Sequence, residues 1–244
     1  MNPPPPEIHV WLAAESLADD PATADRLHAL LTDEERRRLL EFRAAAPRRL
    51  HLVARAVQRT ALSRLVPAVK SADWRFERGA TGRPALAAAH RLPVDFNIAH
   101  TQGMVVMATG RDVRLGIDVE RLERRRSLDI ARRYFSPPEI AALEALPVDA
   151  QARRFVELWT LKEAYLKAVG SGIAGGLGSM TFEWSADGIR FERASDPDAA
   201  SWRFRQWSSD EDFLVALAWR APAGPAARVT VRRLVAEDFS GASG

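Results

Sequence analysis

Cysteine is missing from the 244 residues, which excludes disulfides, thiolate metal centres and a cysteine nucleophile and agrees with a reducing compartment. Long apolar runs are missing as well: no stretch of roughly 18 residues stays apolar, so no membrane span is predicted. The opening MNPPPPEIHV has neither the basic nor the apolar segment of a signal peptide. A soluble cytoplasmic protein with no membrane partner is expected. Nor does one sign of charge dominate, since 35 basic residues face 32 acidic ones. That near balance, with no strand interleaving aromatic and basic side chains, argues against nucleic acid as a partner. The positive charge falls instead in short runs at 36–38, 48–49 and 124–126, which suit a phosphorylated ligand or an acidic protein.

What is present is the composition of a globular chain, 47% hydrophobic and 27% charged, long enough for a substantial core. It also repeats itself. TDEE at 32–35 and SPPE at 136–139 each set a hydroxyl three residues before a glutamate, the capping box that starts a helix, and they lie 104 residues apart. Arg-Arg opens a further helical stretch at Arg48 and again at Arg153, an offset of 105. Short aromatic strands follow at 75–77 and 181–183, and at 96–98 and 202–204, each pair 106 apart, with apolar MVVMA (104–108) and FLVALAW (213–219) behind them. Five elements in one order at nearly one spacing predict a tandem duplication.

The expected fold is therefore α+β: two halves, 1–112 and 113–244, each of helices followed by a small antiparallel sheet, related by a pseudo-twofold and leaving a ligand cleft where they meet. Turn-rich GATGRP (79–84) and SGIAGGLG (171–178) read as loops, the Pro-rich start and the GASG end as tails. Pairing of halves within one chain leads to the expectation of a monomer.

LGIDVE (115–120) alternates as a strand does, with Leu115, Ile117 and Val119 on one face and Gly116, Asp118 and Glu120 on the other. Two carboxylates on one face, with Cα atoms about 6.5–7 Å apart, repel each other. They are either the solvent side of an edge strand or a ligand pair for a hard divalent cation, Mg²⁺ or Mn²⁺. The helix FVELWTLKEAYLKAV (155–169) offers a third carboxylate. At about 100° per residue, Phe155, Leu158, Trp159, Tyr165, Leu166 and Val169 form its core-facing arc. Glu163 and Lys167 sit at the edge of that arc, where they also satisfy an ordinary i,i+4 surface pair. Lys162 projects from the middle of the arc, which calls for a buried anionic partner; an anion held in the cleft would be one.

Together, GIDVE (116–120), FSPPE (135–139), WTLKEAYLK (159–167) and the G-x-G at 170–172 resemble the 4'-phosphopantetheinyl transferases. The resemblance is to the surfactin-synthetase-activating (Sfp-type) class, whose single chain is a pseudo-dimer of two similar halves, and it spans roughly residues 32 to 184. It implies transfer of phosphopantetheine from coenzyme A to a serine of an acyl or peptidyl carrier protein, with release of adenosine 3',5'-bisphosphate. Such a phosphoryl transfer is served chiefly by charge neutralisation and alignment.

By position in these motifs, Asp118, Glu120 and Glu163 are the implied Mg²⁺ (or Mn²⁺) ligands. Glu163, or a water it polarises, is the implied base, and Lys162 and Lys167 the implied partners of the pyrophosphate, Lys167 also stabilising the group that leaves. FNIAHT (96–101) is similar to the family's Asn-x-Ser-His-Ser stretch, which makes His100 the implied phosphate contact, with Ala99 where a hydroxyl residue is usual. GRP (82–84) makes Arg83 an implied phosphate clamp. A contact to the 3'-phosphate is implied among Arg48, Arg49 and Arg55, with Arg49 ranked first. Glu139, explained by its capping box, and Trp159, read as core, receive no chemistry, while Arg124 to Arg126 are expected to steer an acidic carrier. Two rival readings are a Mg²⁺-dependent phosphohydrolase, which needs neither flanking lysines nor a duplication, and a non-catalytic module binding coenzyme A or carriers, which has no need of all three acids.

Overall fold

The computed structural model describes residues 5–79, 82–122, 128–172, 176–186, 188–193, 195–209, 212–221 and 226–240. Both capping boxes form: the Thr32 N–H donates to the Glu35 carboxylate at 3.0 Å and the Ser136 N–H to that of Glu139 at 2.9 Å. The first half runs β1 (Glu7–Ala14), α1 (Pro21–Ala29), α2 (Asp33–Leu40), α3 (Ala45–Leu65), β2 (Phe76–Arg78), β3 (Pro84–Leu86), β4 (Val94–Thr101) and β5 (Met104–Arg111). The second runs β6 (Arg114–Arg121), α4 (Leu128–Tyr134), α5 (Pro137–Glu144), α6 (Val148–Val169), β7 (Met180–Ser185), β8 (Gly188–Arg193), β9 (Arg203–Ser209) and β10 (Phe213–Arg220). The two series correspond element for element. Their main sheets share one antiparallel order, β1-β5-β4 and β6-β10-β9, and each keeps a separate hairpin, β2-β3 and β7-β8.

Each repeat holds more than the periodicity predicts. An opening strand precedes the helices, and the aromatic strands at 76–78 and 180–185 form hairpins of their own instead of joining the main sheet. The chain also ends with β11 (Arg228–Arg233), which returns to the first half and pairs in parallel with β1. Residues 228–233 thus extend the sheet of the first half, although the sequence boundary assigned them to the second.

Alternation along the strands sorts the core into three layers. Trp11, Ala13, Val105 and Met107 face α3; Gly116, Asp118, Leu214 and Ala216 lie on the α6 side; and Val10, Leu12, Val106, Ile117, Val119 and Val215 meet between the two sheets. The order is therefore helix, sheet, sheet, helix.

A buried cation is repeated as well. Arg59 of α3 donates to Glu35 at 2.9 Å, to Ser71 O at 2.6 Å and to Trp74 O at 3.4 Å, and lies 5.5 Å from the centre of the Phe76 ring. Lys162 of α6 donates to Glu139 at 2.8 Å and to Leu177 O and Met180 O at 2.7 Å each, and lies 6.0 Å from the Phe182 ring centre. In both halves a cation on the long helix binds the capping glutamate of the preceding helix and two carbonyls of the segment that follows. Removing one partner from such a buried pair typically costs about 3–5 kcal/mol.

Candidate active site

Gly116 decides how close α6 comes to β6. A Cβ there would lie 2.2 Å from Ala164 O and 2.4 Å from Ala168 N, so only glycine lets the helix backbone rest on the strand. Arg114 fastens the end of the helix above the start of β6, donating to Ala168 O at 2.8 Å and Val169 O at 2.7 Å. Asp118 and Glu120, on the same strand face as Gly116, are buried as a result, which removes the solvent-facing edge-strand alternative. Lys167 crosses to Asp118, its Nζ donating to Oδ1 at 2.5 Å. Burial pushes the Asp118 carboxyl above its ordinary value, and the negative charge of Glu120 adds to this against the pull of Lys167. Its second oxygen, Oδ2, is buried with no hydrogen-bond partner among the described residues. Glu163 lies one turn before Lys167 and is half-buried.

An all-oxygen set of carboxylates suits a hard divalent cation, and a buried carboxylate oxygen without a hydrogen bond, next to a second acid, is the electrostatic situation such a cation relieves. The set is not drawn together in advance. Among the described residues no group of three or more His, Asp or Glu side chains stands ready to grip a metal, and the ammonium of Lys167 is what compensates Asp118.

The first half contributes cations and imidazoles. His100 is the penultimate residue of β4, and on α3 His51 and Arg55 sit at i,i+4 on one face. Burial, then the charges of Arg55 and His100, push the His51 imidazole down to about 4. The His100 ring keeps solvent access, yet the surrounding protein, followed by Lys167 and Arg55, holds its pKa below the ordinary histidine value. These mutual effects place His51, Arg55, His100 and Lys167 near one another across both halves, with Arg55 and Lys167 as the charged members. His51 escapes sequence analysis because a histidine in an apolar helix carries no motif; its spacing from Arg55 is the one signal that marks it.

Three expected ligands are engaged by protein partners. Lys162 does meet a buried anion, but that anion is Glu139: all three ammonium protons are taken inside the second half, leaving none for a pyrophosphate. Arg83 is turned to the seam, its Nη2 within hydrogen-bond distance of both oxygens of Asp95 at 2.9 and 3.1 Å, of Phe96 O at 2.9 Å and of Leu115 O at 2.8 Å, so it ties the halves together, while its Nε has no partner among the described residues. Arg49 turns to another side of α3, towards Asp19 at 3.2 Å and Glu15 at 3.6 Å, and Arg48 donates to Phe42 O. Of the three candidate arginines, Arg55 is the one beside His51 and His100. Trp159 packs on Phe155 in the core as expected, while Arg124 to Arg126 lie outside the described residues.

Comparison with known proteins places the chain in a family. The family model described as the 4'-phosphopantetheinyl transferase superfamily matches residues 114–218, and the model of the N-terminal part of 4'-phosphopantetheinyl transferase matches residues 20–112. A phosphopantetheinyl transferase of Thraustochytrium is 30% identical over 91% of this chain and 86% of its own length. A 4'-phosphopantetheinyl transferase of Bacillus subtilis is 31% identical over 79% and 84%, and the Sfp protein of the same species 31% identical over 67% and 71%. Holo-[acyl-carrier-protein] synthase of Thermotoga maritima superposes on 44% of this chain and 62% of its own with a TM-score of 0.38 and 23% identity, an overlap too small to carry an argument.

The chain belongs to the 4'-phosphopantetheinyl transferase family. Its activity is the transfer of phosphopantetheine from coenzyme A to a carrier protein, and the phosphohydrolase and binding-module readings fall away. No helix among the described residues is long and apolar enough to cross a membrane.

Proposed function

We propose that this chain is an Sfp-type transferase working as a monomer, with its reaction site between Asp118, Glu120, Glu163 and Lys167 of the second half and His100, Arg55 and His51 of the first. The observation that carries this reading is the Lys167–Asp118 contact beneath α6, with His100 and Arg55 of the first half near Lys167. Asp118, Glu120 and Glu163 would hold a Mg²⁺ ion. When bound, that ion neutralises charge on the coenzyme's pyrophosphate, which is its usual service in phosphoryl transfer.

The chain's own residues do the rest. Arg55 supplies the positive charge that accepts the nucleotide's phosphates, with the planar fork suited to a phosphate monoester, and the neutral rings of His51 and His100 beside it can donate an N–H to the same group. Lys167 has two ammonium protons beyond the one given to Asp118 and can follow charge onto the departing group. The carrier's serine oxygen bonds to the phosphorus that bears pantetheine; the anhydride P–O bond breaks, and adenosine 3',5'-bisphosphate leaves with the electron pair. Glu163, with more solvent access than the two strand acids, takes the serine proton directly or through a water.

The test is the intact mass of apo carrier domains, acyl and peptidyl, incubated with this protein, coenzyme A and Mg²⁺. A gain of one phosphopantetheine that EDTA prevents and Mg²⁺ restores is expected. A gain indifferent to EDTA contradicts the metal assignment, and a gain that survives Asp118→Ala contradicts the site.

A further inference from the structure

Among the described residues β6 is an edge strand, paired on one side only, by β10. Leu115 and Ile117 are nonetheless fully buried, so their N–H groups need acceptors. In the first half the corresponding strand, β1, meets this need with a whole neighbour, β11, in parallel register from Glu7↔Arg228 to Leu12↔Arg233. For β6 two side chains of β4 serve instead. Asp95 Oδ2 accepts from the Leu115 N–H at 3.0 Å, and Asn97 Oδ1 from the Ile117 N–H at 2.9 Å.

The two acceptors differ in charge for a reason. Asp95 is matched by Arg83, which grips both its oxygens. Asn97 is buried, and the N–H it accepts belongs to Ile117, the residue before Asp118 on the strand that also buries Glu120. A neutral amide oxygen receives the N–H without adding a third negative charge. The bond also joins the site's two contributions: Ile117 immediately precedes Asp118 on β6, and Asn97 stands three residues before His100 on β4.

We propose that Asn97 is a positioning residue for the transfer: its carboxamide oxygen sets the register of β6 against β4, so that the second half's acids and the first half's phosphate-binding groups face one substrate. This rests on Asp118 and His100 serving the same coenzyme A molecule. Asn97→Ala is expected to slow single-turnover transfer, and to weaken Mn²⁺ binding followed by electron paramagnetic resonance, by about 10- to 100-fold each. The KM for coenzyme A should stay within about 3-fold of wild type, because the nucleotide end is untouched. Asn97→Asp, which keeps an acceptor at the same reach, should recover part of the rate; Asn97→Gln, with its oxygen one methylene away, should not.

Leu27→Ala, a core truncation far from the seam, supplies the purely structural comparison. It should lower Tm while leaving transfer rate and Mn²⁺ affinity unchanged at a temperature where it is folded. If Asn97→Ala behaves like Leu27→Ala, the positioning role is overturned. Should Asn97→Ala fail to fold, Asn97→Gln carries the same prediction on the same readouts, and wild-type behaviour from it overturns the proposal. Full transfer by Asp118→Ala overturns instead the site reading beneath it, so the two failures stay distinct.

Discussion

The fifth and seventh residues of the opening strand are Trp11 and Ala13 in the first half and Asp118 and Glu120 in the second, and each pair is buried towards the long helix of its own half. Over Trp11 lies Arg64 of α3, 5.9 Å from the ring centre; against Asp118 lies Lys167 of α6, at 2.5 Å. One framework therefore holds a cation above an indole in one copy and an ammonium against a carboxylate in the other. The first copy demonstrates that the fold needs no acid at this place. Burying Asp118 beside Glu120 is electrostatically unfavourable, a cost that the proposed metal-binding role of the pair would explain. The buried cations Arg59 and Lys162 teach the converse: present in both copies with the same kinds of partner, they belong to the framework.

The sharpest way to break this comparison is Asp118→Ala, which should lower the transfer rate by about 10³-fold while the protein stays folded, as measured by carrier-loading kinetics and circular dichroism. Next comes Arg59→Met, the framework cation of the first half. It should lose about 3–5 kcal/mol in denaturant melts through the stranded Glu35 carboxylate, with coenzyme A turnover retained at low temperature. Gly116→Ala follows: the methyl meets helix backbone, an overpacking that costs about 1–3 kcal/mol, and the displaced α6 should carry Lys167 away from Asp118 and depress turnover with it.

The smallest effect concerns His51. Its folded pKa, about 4, lies below the ordinary 6.5, so the folded state favours the neutral ring. The corresponding stability is present above pH 6.5 and is lost as pH falls towards about 4. Melts over that range should show a shallower acid decline for His51→Gln.

Much of this was legible in the chain itself. The capping boxes, the repeat near 105 residues and the Gly-x-Asp-x-Glu strand are local patterns, and each corresponds to a structural element. The opening strand of the first half was not: HVWLAA is a short apolar run, and such runs do not distinguish strand from helix. The placing of Lys162 shows the other limit. Its position on the apolar arc rightly demanded a buried anion, but whether that anion is a ligand or Glu139 depends on contacts between α6, α5 and the start of β7, which no spacing within α6 encodes. The partners of Arg83 were equally hidden, because Asp95 comes beside it only through the packing of β3 on β4, and Leu115 only when the halves dock.

The central claim separates two lysines five residues apart on one helix. The direct measurement is kcat/KM for coenzyme A in Lys167→Met and Lys162→Met, taken at a low temperature where both are folded by circular dichroism. Lys167→Met should fall by about 10²-fold or more, whereas Lys162→Met should remain within about 3-fold of wild type and show its damage in Tm. The opposite ranking, with Lys162→Met inactive though folded and Lys167→Met near wild type, would contradict the account.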